Sequence, residues 1–274
     1  MIPAGWPADQ PLAVSVNVML EGWATPDAPG IGPMGNPLRQ NVVDLQARSW
    51  ADYGAKVGAW RLLDLLDRER VRAVFYTSGV VADLYPDLTA AIATRGHHVA
   101  AHGWSQGTLP PYLSPETEQA DIARCVAVIE KATGQHPAGW LSPRCTPSGS
   151  TSGLLAQAGF RWHADIFDSD LPYALETGAG GLIGMPFTME VNDMPLYVRY
   201  GNEPDVFTHT LQKIVEGWPR LGNLPGCLDI TLHAHVFGRP YGALAMLDSL
   251  ALVRRAAHCW LTDHEQIATI YRQG

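Results

Sequence analysis

The chain has 274 residues, of which 46% are hydrophobic and 17% are charged, and this composition excludes a disordered protein. A formal net charge of −8, with Lys and Arg scattered along the chain, argues against a nucleic-acid-binding surface and favours a small, neutral or cationic partner. No apolar run approaches the ~18 residues of a membrane span, and no basic residue precedes Arg39 to form a secretory signal, which predicts a cytoplasmic protein.

The first part of the chain predicts a strand, a long loop, a helix and a second strand. Residues 12–18, "LAVSVNV", are an apolar run typical of a buried strand, whereas the Pro- and Gly-rich residues 25–38 predict a loop. Residues 56–70 have helical apolar spacing, and residues 71–79, "VRAVFYTSG", have strand composition and end in turn residues.

The same alternation continues to the C-terminus. Ser114 and Pro115 predict the N-cap and the first turn of a helix over 115–133. The other predicted helices are 84–95, 150–158, 204–217 and 243–257. The other predicted strands are 97–101, 138–142, 160–165, 181–187 and 227–233, and a last short strand and helix share 259–272.

This order of elements predicts an α/β fold. Seven or eight strands that alternate with helices favour a parallel (β/α) barrel over an open sheet, and no glycine-rich phosphate-binding motif follows the first strand. We expect residues 1–274 to form one domain. In such barrels the chemistry lies at the carboxyl ends of the strands, so residues that follow the predicted strands are the candidates for function.

Polar residues are concentrated at these strand ends. They are Asn17, Glu21, Thr77, His102, Arg144, Asp165, Asp168, Asn192, Asp193, His233 and His235. His102 either hydrogen-bonds a neighbouring loop or is functional, and its place after an apolar strand favours the functional interpretation. His233 and His235 flank Ala234, so both can point to the barrel mouth in an extended segment, and the alternative is that one packs in the core.

The strand-end motifs resemble one family along almost the whole chain. They read, in order, "RVRAVFYTSG", "GHHVAAHGWSQG", "AGWLSPRCTPS", "DSDLPY", "MPFTMEVNDM" and "TLHAHVFGRPYG". This series resembles the NodB-like polysaccharide deacetylase superfamily, and within it the branch of metal-independent allantoinase and cyclic-imide hydrolases. The resemblance implies a distorted, incomplete (β/α) barrel of about seven parallel strands, and it implies a homo-oligomer.

The family pattern for a metal site is broken at two places. Members that use a metal carry an aspartate in the first strand loop and two histidines four residues apart, with a late histidine as the acid. Here His102 and His233 match the first metal histidine and the acid, but Gln106 stands at the second metal position and Glu21 is the remaining acid of the first loop. Because an amide oxygen is a poor zinc ligand, we predict no metal cofactor. A zinc site of Glu21, His102 and His235 is the alternative.

A site without a metal assigns the catalytic work to side chains. Glu21 or His233 takes the proton from water, His102 and Arg144 polarise the carbonyl oxygen or orient the ring, and a histidine returns a proton to nitrogen. We expect a planar ring to be bound by a larger set, in which the tryptophans stack on the ring and the others contact its polar edges. This set is Asn17, Trp23, Trp104, Gln106, Asp165, Asn192, Asp193 and His235.

Three hypotheses about function follow. The first is a metal-independent hydrolase that opens a small cyclic amide, ureide or imide. The second is a metal-dependent N-deacetylase of an acetylated amino sugar, and the third is a non-catalytic barrel that binds a ligand. All three predict a small-molecule partner, with no nucleic acid and no membrane.

Overall fold

A computed structural model describes residues 3–30, 32–33, 38, 42–178 and 180–273. The strands in this part of the chain are β1 (Leu12–Leu20), β2 (Val74–Thr77), β3 (His98–Ala101), β4 (Gly139–Trp140), β5 (Trp162–Ile166), β6 (Tyr173–Leu175), β7 (Leu182–Pro186), β8 (Gly226–His233) and β9 (Cys259–Thr262). The α-helices are α1 (Leu45–Tyr53), α2 (Ala59–Arg68), α3 (Gly79–Leu84), α4 (Pro86–Thr94), α5 (Pro115–Thr133), α6 (Thr151–Gln157), α7 (Asp205–Gly217), α8 (Pro240–Arg255) and α9 (His264–Gln273). Two π-helical segments, Gly54–Gly58 and Met194–Arg199, precede α2 and α7.

The strands form one sheet in the order β6-β7-β5-β4-β3-β2-β1-β8, and β9 pairs with the first half of β1. Every pairing is parallel except that of β6 with β7. The prediction of an α/β, distorted (β/α) barrel is therefore confirmed.

The segment that follows β7 pairs with β8. The backbone N–H of Thr188 donates to Asp229 Oδ2 and the N–H of Asp229 donates to Thr188 Oγ1, both at 2.7 Å. Further along, Asn192 and Thr231 form a parallel bridge. These contacts hold residues 188–193 beside the carboxyl end of β8, where His233 lies.

The two faces of the sheet bury different residues. Along β1, Val14, Val16 and Val18 pack in the core beneath the helices, whereas Met19 belongs to a second cluster with Tyr76. The second cluster collects side chains from six strands, so it fills the concave face of the sheet. Because side chains alternate along a strand, Asn17 also points to this concave face.

Helix α5 confirms the predicted bounds, since Ser114 Oγ accepts from Thr117 N and Gly134 ends the helix with φ 72°. Two predictions were wrong in detail. The predicted helix 84–95 is observed as Pro86–Thr94 and begins two residues late, because Tyr85, the residue before Pro86, lies outside the helical region and separates this helix from α3. Helix α1 and strand β6 fall where we predicted no element.

Within the described residues, no helix has both the length and the apolar character needed to cross a membrane.

Candidate active site

Three imidazoles converge on the Glu21 carboxylate, which follows the end of β1. His102 Nε2 and His233 Nε2 lie 3.7 and 3.8 Å from Glu21 Oε1, and His235 Nε2 lies 4.0 Å from Glu21 Oε2. The Glu21 side chain is 9% exposed. These separations are too long for direct hydrogen bonds, but one water or substrate atom can lie about 2.8 Å from both ends of each pair.

The backbone fixes the proton on His102. Its Nδ1 lies 2.7 Å from the carbonyl oxygen of Leu141, and a carbonyl only accepts, so Nδ1 carries the hydrogen. In the neutral ring, His102 Nε2 therefore carries no hydrogen, and its lone pair faces the negative Glu21 carboxylate. Two acceptors that face each other need a donor between them, so this side of the site is prepared to bind an N–H or O–H group.

His233 is oriented by a buried carboxylate. Asp193 Oδ1 lies 2.6 Å from His233 Nδ1, and Asp193 Oδ2 accepts from the backbone N–H groups of His233 and Phe237 at 2.8 and 3.2 Å. Burial lowers the pKa of His233, but the charges of Asp193 and Glu21 outweigh it, so the pKa is raised above its ordinary value. The arrangement leaves His233 Nε2 free to take and return a proton beside Glu21.

Glu21 and His235 have opposite electrostatic environments. Burial would raise the pKa of Glu21, but the positive charge of His233, with smaller effects of His102 and His235, lowers it to about 2. Burial also lowers the pKa of His235 to about 3, against the attraction of Glu21. At neutral pH the site therefore contains an ionised Glu21 and a neutral His235.

Gln106 is a structural clamp in the position of the second metal histidine. Its Nε2 donates to Ser78 Oγ and to the carbonyl of His102, and its Oε1 accepts from the backbone N–H of Arg144. The amide is buried and directs its polar atoms at the protein, so it does not fit the family metal site. Nowhere in the described ranges do three or more His, Cys, Asp or Glu side chains form a group that could hold a metal ion.

The Arg144 loop follows β4 and has an unusual backbone. Arg144 and Cys145 have φ values of 54° and 55°, in the left-handed region that residues other than glycine rarely adopt. The Asp165 carboxylate holds the start of this loop by accepting from the N–H and the hydroxyl of Ser142. The Arg144 side chain itself is exposed. Asp165 thus supports the loop from below.

The other predicted ring-binding residues are distributed unevenly around Glu21. Trp23 contacts the site, with its ring 5.9 Å from that of His235. Trp104 is in the core, where the Arg124 guanidinium lies 3.3 Å from its ring centroid. Asn17 donates to Asp229, deep on the concave face, and Asn192 caps the next segment through Met194 N. The structure brings Trp23 to the Glu21 cluster and places Trp104, Asn17 and Asn192 in supporting positions.

Sequence reasoning missed two features. Trp50 packs its ring 4.5 Å from that of His235, and no predicted element contains it. Beneath the site, Tyr76 donates to His264 Nδ1 at 2.6 Å and His264 Nε2 donates to Asp229 Oδ1 at 2.7 Å. This buried chain supports the ring of Tyr76, whose centroid is 6.3 Å from that of His102. Its members are distant in sequence and show no motif.

Part of the chain matches one known family model. Residues 50–163 match the family model described as polysaccharide deacetylase. A Schizosaccharomyces pombe protein named "Putative polysaccharide deacetylase" is 28% identical over 268 residues, which are 87% of this chain and 79% of that protein. A Helicobacter pylori "Peptidoglycan deacetylase" is 26% identical over 187 residues, which are 68% of this chain and 61% of that protein.

Solved structures give the same result. A "probable Polysaccharide deacetylase" from Pseudomonas aeruginosa superposes with a TM-score of 0.88 at 25% identity, over 99% of this chain and 94% of that chain. PuuE allantoinase also has a TM-score of 0.88 over the same shares, but at 23% identity this likeness shows a common fold only. The resemblance predicted from the strand-end motifs is confirmed.

Proposed function

We propose that this chain, which belongs to the NodB-like polysaccharide deacetylase superfamily of hydrolases acting on C–N bonds, opens a small cyclic amide, ureide or imide without a metal ion. The observation that carries the proposal is the convergence of three imidazoles on one ionised carboxylate, with Gln106 committed to the backbone where the family places a metal histidine.

The acceptors at the centre of the site favour a substrate that carries N–H groups. Glu21 and the free nitrogens of His102 and His233 present lone pairs to the same space. A ring N–H can donate to these acceptors, whereas a ligand edge without N–H or O–H groups cannot. Cyclic ureides and imides offer N–H beside C=O, and their carbonyls are more electrophilic than that of a simple acetamide. The same fold is found in an allantoinase, so ring opening has a precedent in barrels of this shape.

His233 fits the role of general base better than Glu21 does. A carboxylate with a pKa of about 2 is a weak base at neutral pH, whereas the raised pKa of His233 lies nearer to the working range. In this mechanism His233 Nε2 removes a proton from water, the water oxygen attacks the carbonyl carbon, and the C–N bond breaks as His233 returns the proton to nitrogen. Glu21 orients the ring N–H and stabilises the imidazolium. The polarisation of the carbonyl oxygen falls to Arg144, because the free nitrogen of His102 is an acceptor and accepts from a ring N–H instead.

The test is a turnover screen on metal-stripped protein. Allantoin, hydantoins, succinimide-type imides and lactams are incubated with the chain, and the ring-opened product is measured. We expect ring opening that is lost in Glu21→Gln and His233→Ala and retained in Glu190→Gln, which changes an exposed carboxylate. Turnover that is unaffected by both site substitutions contradicts the proposal. Ring opening by the parent chain would itself exclude the non-catalytic barrel.

The second candidate is a metal-dependent N-deacetylase, and the Helicobacter pylori relative supports it by its name. This candidate is tested with N-acetylated amino-sugar oligomers in the same screen, with chelator and with added zinc. Acetate release that chelation abolishes and zinc restores would replace our proposal with this one.

A further inference from the structure

A groove adjoins the candidate site on the side of His235. It has a volume of about 920 Å³, within the range of small-molecule sites, and aromatic side chains from α1, from the π-helical segment before α7 and from the first turn of α8 form its walls. They include Trp50, Tyr53, Tyr197 and Tyr241. Trp50 also packs against the His235 ring at 4.5 Å, so it is a wall shared by the groove and the site.

Arg239 is the cation of this groove. Its Nε donates to the carbonyl of His235 at 3.2 Å, and its guanidinium carbon lies 4.0 Å from the centroid of the Tyr53 ring. A second arginine, Arg61, also holds Tyr53, because it donates a hydrogen bond to Tyr53 Oη at 2.6 Å. The backbone and the aromatic ring therefore hold the Arg239 fork in place before any ligand arrives, which lowers the entropic cost of binding.

This guanidinium has no carboxylate partner in the part of the chain that the structure describes. Arg239 is half-buried, and no acidic oxygen lies within 4.0 Å of it among the described residues. A partly buried cation that is held rigidly and left unpaired is a ready site for an anion.

His235 carries two buried polar atoms that the protein leaves unpaired in the part of the chain that the structure describes. It is 1% exposed, and neither of its ring nitrogens has a hydrogen-bond partner among the described residues. Buried polar atoms without partners are uncommon because they have lost water without a replacement. His235 contacts both ends of this region, since its Nε2 lies 4.0 Å from Glu21 Oε2 and its carbonyl accepts from Arg239 Nε. A ligand that spans Glu21 and Arg239 can supply the missing hydrogen-bond partner.

We infer that the groove binds an anionic substituent, a carboxylate, of the substrate whose ring is held at Glu21. The inference rests on the proposed function for the identity of the ring and adds its charge: the substrate class is an acidic cyclic amide, ureide or imide. It revises the expectation of a neutral or cationic partner, because the net charge of −8 describes the whole chain and not this groove. Since Glu21 repels an anion, the carboxylate must be carried on a side chain that extends from the ring.

Two ligands that differ only in charge test this inference. Hydantoin-5-acetate and hydantoin-5-acetamide have nearly the same shape, and only the first presents a carboxylate to Arg239. We expect the parent chain to favour the acetate in kcat/KM by about ten- to a hundredfold, the range expected for hydrogen bonds to a charged group. Arg239→Gln should remove this preference by lowering the acetate value alone. Arg220→Gln, at an exposed arginine remote from the groove walls, should leave both values unchanged.

Equal use of the two ligands by the parent chain, or an equal loss of both in Arg239→Gln, would overturn the inference. Arg239→Lys is a second variant that keeps the charge but not the planar fork, and it should keep part of the preference. If neither ring is opened, the proposed function fails. The inference about the groove is then tested separately, by calorimetric measurement of the binding of both ligands to the parent chain. Tighter binding of the acetate that Arg239→Gln abolishes supports it, and equal binding refutes it.

Discussion

Replacement of Asp193 by Asn tests the assignment of His233 as the base, because the geometry dictates how the amide must settle. Asp193 Oδ2 accepts from two backbone N–H groups, so the single amide oxygen of Asn must take that place. The amide NH2 then faces His233 Nδ1, which becomes the acceptor, and the ring proton moves to Nε2. His233 can no longer remove a proton from water, and we expect kcat/KM to fall by the value of a general base, about 10²- to 10⁴-fold.

The assay is the pH profile of kcat/KM for ring opening, measured beside the thermal midpoint of unfolding. In the parent chain, the raised pKa of His233 means that activity falls as pH drops through that pKa, because the base becomes protonated. In Asp193→Asn the remaining activity should have its acid limb at lower pH, because the negative charge that raises the pKa of His233 has been removed. Asp168→Asn, at an exposed carboxylate bound by Tyr173 Oη, is the control. A full rate with an unmoved acid limb in Asp193→Asn would refute the reasoning.

The remaining predictions concern stability and metal. Gln106→Ala should lower the free energy of unfolding by about 1–3 kcal/mol, measured by denaturant titration, because it leaves buried partners unpaired. Gly58→Ala should destabilise by a similar 1–3 kcal/mol, since its Cβ would lie 1.9 Å from Ala234 O, whereas Gly153→Ala has open space and should be neutral or slightly stabilising. Because the Glu21 pKa is lowered, its stabilisation is complete above about pH 4.5 and is lost as pH falls to about 2. Acid titration of Glu21→Gln should lack this loss, and an unchanged acid transition would contradict the pKa. Chelator treatment should leave ring opening unchanged, and loss of turnover that zinc restores would contradict the metal-free mechanism.

Local sequence signals predicted the elements that local physics controls. Ser114, Pro115 and Gly134 specify the two ends of α5 through capping and a left-handed turn, so its bounds agree with the prediction. The apolar runs of β1 and β8 also predicted these strands correctly, because a strand that is buried on both faces has an almost continuous apolar sequence. By contrast, β6 has three residues, none of them buried, and pairs antiparallel at the sheet edge, which leaves no periodic pattern to recognise.

The candidate site was predictable as a set of strand ends but not as a set of partners. His102 and His233 follow β3 and end β8, so the barrel topology alone brings them to one mouth. That Asp193 pairs with His233 depends on the contacts between β8 and the segment after β7, which join residues 40 positions apart. No spacing rule reveals such a pair. Trp50 was missed for the same reason, since its importance comes from the His235 ring that it touches.

The position of Gln106 links the fold to the chemistry. An imidazole there would point at a metal, but the amide uses both of its atoms to tie the ends of β2, β3 and β4 together through Ser78, His102 and Arg144. The consequence is that His102 keeps its orientation from protein contacts alone: Gln106 holds its carbonyl and Leu141 fixes its ring proton. A site that is rigid before any ligand binds can stabilise charge without reorganising, which is the requirement for hydrolysis by organic groups. The glutamine that stands where the family pattern has a metal histidine thus supplies part of the rigidity that the proposed metal-free mechanism requires.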